Sequence, residues 1–248
     1  MAGLPSLDEQ IDYYDQWNAQ HRSGGFDEIS PNIRACGAEV LRCIDALHLP
    51  APSILEIGCG TGWLSQELAK RGKVKAIDLS PGAISKARER SAPVEFLSGD
   101  VLETDLGPER FDVVVCVETL FYIYDQAGLV EKIADVSTPG GYLILTVLNK
   151  FVYERRRSLR PPEPGQIRHW LSSSAVCDLL QARYRVQRRY TIEPAGDKGI
   201  LRLVNSGKIN RFLTLFVSQD KLRRAKESLG LGSHIVILAQ RKQDVHQA

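Results

Sequence analysis

The sequence predicts an α/β protein built on a doubly wound parallel sheet. Three observations predict it. Short β-branched and apolar runs alternate with amphipathic stretches from Ser53 to Leu148. A bare turn, Gly58-x-Gly60-x-Gly62, separates the first run from a helical pattern. An acid, Asp78, closes the next run. Alternation on this period gives parallel strands joined by crossover helices.

The elements follow in order. Tyr13, Tyr14 and Trp17 lie in a polar N-terminal segment that reads as a helix or lid, and residues 1–50 form a helical lid region. Ser30-Pro31 places a capping hydroxyl before a proline in the first turn, and apolar residues then recur at helical spacing to Leu47. Strands are expected at Ser53–Ile57, Val74–Asp78, Val94–Ser98, Asp112–Val117 and Tyr142–Leu148. Helices are expected at Thr61–Arg71, Pro81–Arg90 and Gln126–Val136, with a turn at Thr138–Gly141 feeding the fifth strand. Residues 51–149 thus form the core of a single domain. Beyond it a helix is expected at Leu171–Ala182 and strands at Tyr184–Ile192 and His234–Arg241.

Bulk properties narrow the class. No run approaches the ~20 apolar residues that span a bilayer. Five cysteines at unpaired spacings argue against a zinc site or a disulfide framework. The opening has no basic stretch followed by an apolar core, so a reduced, cytoplasmic protein is expected. Charge is divided along the chain. Residues 1–149 hold 12 Lys/Arg against 22 acids, and residues 150–248 hold 20 against 8.

The glycine turn discriminates among ligands. Glycines let a ligand touch the backbone without a Cβ in the way. Asp78, at the tip of the neighbouring strand, is placed to accept two ribose hydroxyls. A dinucleotide site would need G-x-G-x-x-G, but Trp63 stands where the last glycine belongs and Glu56 lies two residues before the first. A carboxylate there opposes a pyrophosphate and suits a cation.

Four stretches in register, "ILEIGCGTG", "VKAIDLSPGAISKA", "VEFLSGDVLE" and "FDVVVCVETLFYI", resemble the class I S-adenosylmethionine-dependent methyltransferases over roughly residues 53–149. The resemblance implies a Rossmann-like seven-stranded sheet of order 3-2-1-4-5-7-6, its last strand antiparallel. It implies S-adenosylmethionine as cofactor, S-adenosylhomocysteine as product, and no metal. Gly58, Cys59 and Gly60 would line the methionine part, with Glu56 beside them. Asp78 would bind the ribose, Leu79 pack on the adenine, and Asp100 with Val101 receive the adenine edge. Val117 and Glu118 would lie near the methyl group. Tyr14, with Tyr13 and Trp17, would close over the cofactor.

Methyl transfer needs an acceptor held in line with the methyl, shielded from water and deprotonated. Glu118, Tyr122 and Tyr124 follow the fourth strand and are expected to face the acceptor. His169 is the expected base, with Arg155 and Trp170 as acceptor contacts. Residues 150–170 and 198–230 are both basic and are expected to overhang the acceptor, which favours an anionic small molecule. Sparse aromatics in this cover argue against nucleic acid. An RNA or carrier-linked acceptor, aminopropyl transfer and a non-catalytic cofactor-binding subunit remain as alternatives.

Overall fold

The computed structural model describes residues 4–21, 29–90 and 93–243, so residues 22–28 of the expected lid region lie outside the described residues. Seven strands form one sheet: β1 (Ser53–Ile57), β2 (Lys73–Asp78), β3 (Val94–Ser98), β4 (Phe111–Val117), β5 (Ser137–Leu148), β6 (Tyr184–Pro194) and β7 (Gly232–Arg241). Their order is β3-β2-β1-β4-β5-β7-β6, as expected. β7 runs antiparallel to both β5 and β6, and the pairings among β1 to β5 are parallel.

Side chains that alternate along each strand build two apolar layers. Leu55, Ile57, Val114 and Cys116 face α5 (Gln126–Val136) and α7 (Ser173–Leu180). Ile54, Val74, Val113 and Val115 face α2 (Pro31–Leu47), α3 (Ser65–Ala69) and α4 (Pro81–Arg88). The central strands are buried on both faces, which is why they read as nearly continuous apolar runs.

Local chemistry sets the ends. The Ser80 hydroxyl accepts from the Ala83 amide at 2.9 Å and Pro81 follows it, so α4 starts where its amides are satisfied. The Asp125 carboxylate does the same for α5, accepting from the Gly128 amide at 2.8 Å. Two expectations shift. The first crossover helix shrinks to α3, because residues 61–64 remain a turn around the ligand loop. The expected turn at Thr138–Gly141 is absorbed into β5, where the register slips between Phe111 and Val113 and Gly140 takes a φ of 79°.

The N-terminal helix, α1 (Leu7–His21), is tied to the core by charge. Asp15 accepts from the Ser80 hydroxyl and, at 3.1 Å, from the Gly82 amide. A carboxylate at the start of α4 meets the positive end of that helix. This contact holds α1 across the C-terminal strand ends.

After β5 come a single helical turn, α6 (Lys150–Tyr153), and an extended stretch to Trp170. The β6–β7 connection folds as α8 (Ile200–Val204), α9 (Gly207–Leu213) and α10 (Gln219–Ser228).

Candidate functional site

Ligands of open α/β sheets bind at the carboxyl ends of the strands, where the strand order reverses. Here β1 leads to β2 on one side and pairs with β4 on the other, and a cavity of about 970 Å³ opens at those tips. Small-ligand sites span roughly 300–1,000 Å³, so this one has room for a nucleoside cofactor and a small acceptor together.

The loop after β1 is shaped by close approach. Gly58, Gly60 and Gly62 all have positive φ, at 75°, 53° and 73°. A Cβ on Gly58 would fall 1.9 Å from the Thr119 hydroxyl oxygen, so no other residue fits there. The Gly58 and Cys59 amides donate to the Ile77 carbonyl at 2.8 and 3.2 Å, which pins the loop to the end of β2.

Asp78 organises one end of the cavity. One carboxylate oxygen accepts from the Gly60 amide at 2.7 Å and the other from the Ser80 amide at 2.9 Å. Leu79, Asp100 and Val101 line the cavity beyond it, as do Gly58, Gly60, Val117 and Glu118. Asp100 spends one oxygen on the Leu102 amide at 2.9 Å, which fixes its orientation. Tyr13, Tyr14 and Trp17 of α1 also line the cavity. Burial, reinforced by Tyr122, Tyr13 and Asp78, pushes the Tyr14 hydroxyl well above its ordinary pKa and keeps it protonated.

Two cofactor-side residues lie behind the surface instead of on it. Glu56 is only 2% exposed and is not among the cavity-lining residues. Its carboxyl accepts from the Ser65 hydroxyl at 2.5 Å, and burial pushes its pKa up to about 8. It is therefore a buried brace beneath the glycine loop, where burial favours its protonated form, and its side chain does not line the cavity. The Cys59 side chain is likewise fully buried, with its thiol raised by the same desolvation. It offers backbone, not sulfur.

The opposite end of the cavity is built from β4, α6 and the stretch before α7. Glu118 has a φ of 54°, unusual for a residue with a side chain. Its amide donates to the Thr146 carbonyl at 3.0 Å and meets the Thr146 hydroxyl at 3.2 Å. That held backbone turns the carboxylate to the cavity wall. His234, at the start of β7, places Nδ1 3.0 Å from a Glu118 carboxylate oxygen. The alignment is too poor for a good hydrogen bond, so the contact is one of proximity. Cys36 of α2 approaches the same oxygen at 4.0 Å, and the ligating atoms of Cys36, Glu118 and His234 all lie within 4.8 Å of one another. The spacing of the cysteines hid this grouping.

Tyr122, Tyr124, Trp170, Tyr153 and Arg156 complete the wall. The Arg156 guanidinium stacks 4.0 Å from the centre of the Tyr153 ring, and burial pushes that phenol up to about 12. His169 is placed differently from the expectation. Its ring is exposed, packs against Tyr124 with centres 5.5 Å apart, and is not among the lining residues. Its backbone does the work, donating to the Phe121 carbonyl at 2.8 Å and accepting from the Gln126 amide group at 3.0 Å.

Arg155 also turns away. It stacks on Phe151 at 4.1 Å, while Arg156 and Arg160 reach the cavity. Residues 158–168 overhang the site, but no residue of 198–230 lines it. The β6–β7 connection leaves the sheet at its far edge and stops against residues 155–157.

The lining separates by charge. Asp78, Asp100, Glu118 and Asp125 lie at or just beyond the strand tips, whereas residues 156–168 bring Arg156, Arg160 and Arg168 with one acid, Glu163, among them. This geometry defines a class: the fold is that of the class I S-adenosylmethionine-dependent methyltransferases. N-methyltransferase NodS from Bradyrhizobium japonicum WM9, solved with S-adenosylhomocysteine, matches 96% of this chain and 100% of its own, with TM-score 0.63 and 17% identity. The [4+2]-cyclase SpnF matches 98% of this chain and 100% of its own, with TM-score 0.63 and 16% identity.

Within that fold, residues 55–145 match the methyltransferase domain family. A ubiquinone biosynthesis O-methyltransferase from Xanthomonas campestris pv. campestris (strain B100) is 37% identical over 110 residues, 41% of this chain and 45% of the relative. The chain thus spans about half the length of the curated relatives it matches. Among the described residues, no helix is long and apolar enough to cross a membrane.

Proposed function

We propose that this protein is an S-adenosylmethionine-dependent methyltransferase whose acceptor is a small anionic molecule methylated on oxygen or nitrogen. The observation that carries the reading is the change of charge along one cavity, from acids at the strand tips to a lining under the overhang where Arg156, Arg160 and Arg168 outnumber Glu163. A cationic nucleoside suits the first and an anionic acceptor the second. The cradle at Gly58, which a Cβ would fill, and the doubly anchored Asp78 fit the cofactor.

The bound cofactor would supply a methyl group on positive sulfur, released to the acceptor's lone pair with S-adenosylhomocysteine as product. Asp78 would hold the ribose hydroxyls and Asp100 the adenine edge. Tyr13, Tyr14 and Trp17 would exclude water. Glu118 would take the acceptor's proton, with His234 holding its carboxylate in place. Arg156 and Arg160 would orient the acceptor through its negative charge. Holding the two reactants in line converts a bimolecular encounter into a near-unimolecular one.

The Xanthomonas relative's name points to oxygen as the methylated atom. The family match ends at residue 145, before the overhang begins, so the acceptor's identity rests on residues outside it. The test has two stages. Calorimetry with S-adenosylhomocysteine should show one binding site per chain, and no heat of binding would refute the reading. Labelled S-adenosylmethionine incubated with fractionated metabolites should then mark a small acidic product. Label appearing only in RNA or in protein would overturn the acceptor class.

A further inference from the structure

The β6–β7 connection bears an apolar surface that no described residue covers. Its fully buried large apolar side chain is Leu201, which anchors α8. Polar bonds hold the rest. The Thr191 hydroxyl donates to the Glu227 carbonyl at 2.6 Å, and Lys226 reaches Asn210 at 3.0 Å. Outward from this frame stand Ile200, Leu203, Phe212, Leu215 and Phe216, of which Leu215 and Phe216 are each 74% exposed. The Phe212 and Phe216 rings meet edge to face, 5.5 Å apart, and form one protruding apolar knob. Soluble proteins seldom expose contiguous apolar groups of this kind unless something binds there.

The charges around the knob say what binds. Residues 198–230 hold eight Lys/Arg against two acids. Arg223 is paired with Asp220 and Glu227, but Arg202, Lys208, Arg211, Lys221 and Arg224 take part in none of the described ion pairs. Exposed rings beside unneutralised cations are the pattern of an element lying in a membrane interface. The rings enter the boundary between headgroups and acyl chains while Lys and Arg extend to the phosphates. A second copy of the chain would bring one strongly basic surface against another, which like-charge repulsion opposes.

We propose that α8 to α10 dock this protein on an anionic phospholipid surface. The element is joined to the cavity overhang: the Asp197 and Lys198 amides donate to the Arg155 carbonyl at 3.0 and 3.1 Å, and the Arg157 amide donates to Asp197 at 2.8 Å. Docking would therefore hold the basic end of the cavity near the bilayer. The surface is independent of the chemistry proposed for the cavity.

Sedimentation of the full chain with vesicles tests this. Vesicles of phosphatidylcholine and phosphatidylglycerol should carry the protein down at low salt, and pure phosphatidylcholine vesicles far less. The variant Phe212→Ser/Leu215→Ser/Phe216→Ser replaces only exposed side chains, so its circular dichroism should be unchanged while its binding falls at least tenfold. The variant Lys208→Gln/Arg211→Gln/Arg224→Gln should also bind more weakly and lose much of the salt dependence. Failure of the wild type to sediment with anionic vesicles overturns the proposal. So does wild-type binding by both variants, or a wild-type dimer in light scattering that the serine variant dissociates.

Discussion

The Glu118 carboxylate and the His234 imidazole, from strands β4 and β7, meet at 3.0 Å in a nearly dry corner of the cavity. His234 is 1% exposed and Glu118 7%, so water screens the contact poorly. The strained backbone at Glu118 is held by two contacts with Thr146, and strain of this kind collects where a side chain must be aimed. Glu118→Gln keeps the shape and removes the base. We predict a fall in kcat of about 10²- to 10⁴-fold, the usual worth of a general base, with S-adenosylhomocysteine affinity within about threefold of wild type. An unchanged kcat would remove Glu118 from the chemistry. His234→Asn should lower kcat less than Glu118→Gln does while leaving S-adenosylhomocysteine affinity unchanged. An equal loss of kcat and of cofactor affinity would make His234 merely structural.

The contrast between Glu118 and His234 also shows what a sequence discloses. Glu118 was legible because it follows an apolar run and precedes a cluster of aromatics, a local signal. His234 lies just inside the last strand, and its meeting with Glu118 depends on β7 pairing with β5, where Leu148 lies opposite His234. Nothing in the spacing from 118 to 234 announces that. The two arginines fail for a finer reason. Arg155 and Arg156 are neighbours in sequence, yet only Arg156 lies one helical turn from Tyr153 and shares its face. Glu56 illustrates the opposite limit, since its position beside the glycines was visible but its inward aim, toward Ser65, was not. The strands and the core were readable because apolar periodicity is written residue by residue, whereas the strand order followed from the resemblance of four motifs to the methyltransferases. Side-chain direction at turns is set by contacts from elsewhere.

Asp78 should govern cofactor affinity. It bridges the Gly60 and Ser80 amides at 2.7 and 2.9 Å, so its charge both shapes the loop and remains directed at the cavity. Asp78→Asn would turn an NH₂ group against one of those amides. Hydrogen bonds to a charged acceptor are worth about 1.5–3 kcal/mol each, so the variant should bind S-adenosylhomocysteine at least ~100-fold more weakly by calorimetry. Wild-type affinity would contradict its placement at the ribose.

Arg156 and Arg155 offer a paired test of the acceptor's charge. Arg156→Gln removes a cation that lines the cavity, whereas Arg155→Gln removes one stacked on Phe151 outside it. With an anionic acceptor, the first should raise KM about 10- to 100-fold, the loss of one charge-assisted contact. The increase should shrink as salt is added. The second should leave KM alone. Equal effects from both would show that the field of the whole basic segment, not a specific contact, recruits the acceptor.

Glu56 couples the glycine loop to pH. Its carboxyl has an ordinary value of 4.5 and is pushed up to about 8, chiefly by burial, against the lowering effect of the Ser65 hydroxyl. The folded protein therefore keeps a proton that the unfolded chain releases above about pH 4.5. Stability from this site is fullest below that pH and is lost as pH rises through about 8. Glu56→Gln holds the same hydrogen-bonding shape with no charge to bury. The variant should melt close to the wild type at pH 5.5, then gain on it as pH rises to 9. A pH unit across that window is worth about 1.4 kcal/mol, and one kcal/mol moves the melting temperature of a chain this size by about 2–4 °C, so the gap should widen by roughly 7–14 °C between pH 5.5 and pH 9 in thermal denaturation. Parallel melting curves across that range would mean that Glu56 is ionised in the folded state, and the loop would then rest on a buried charge.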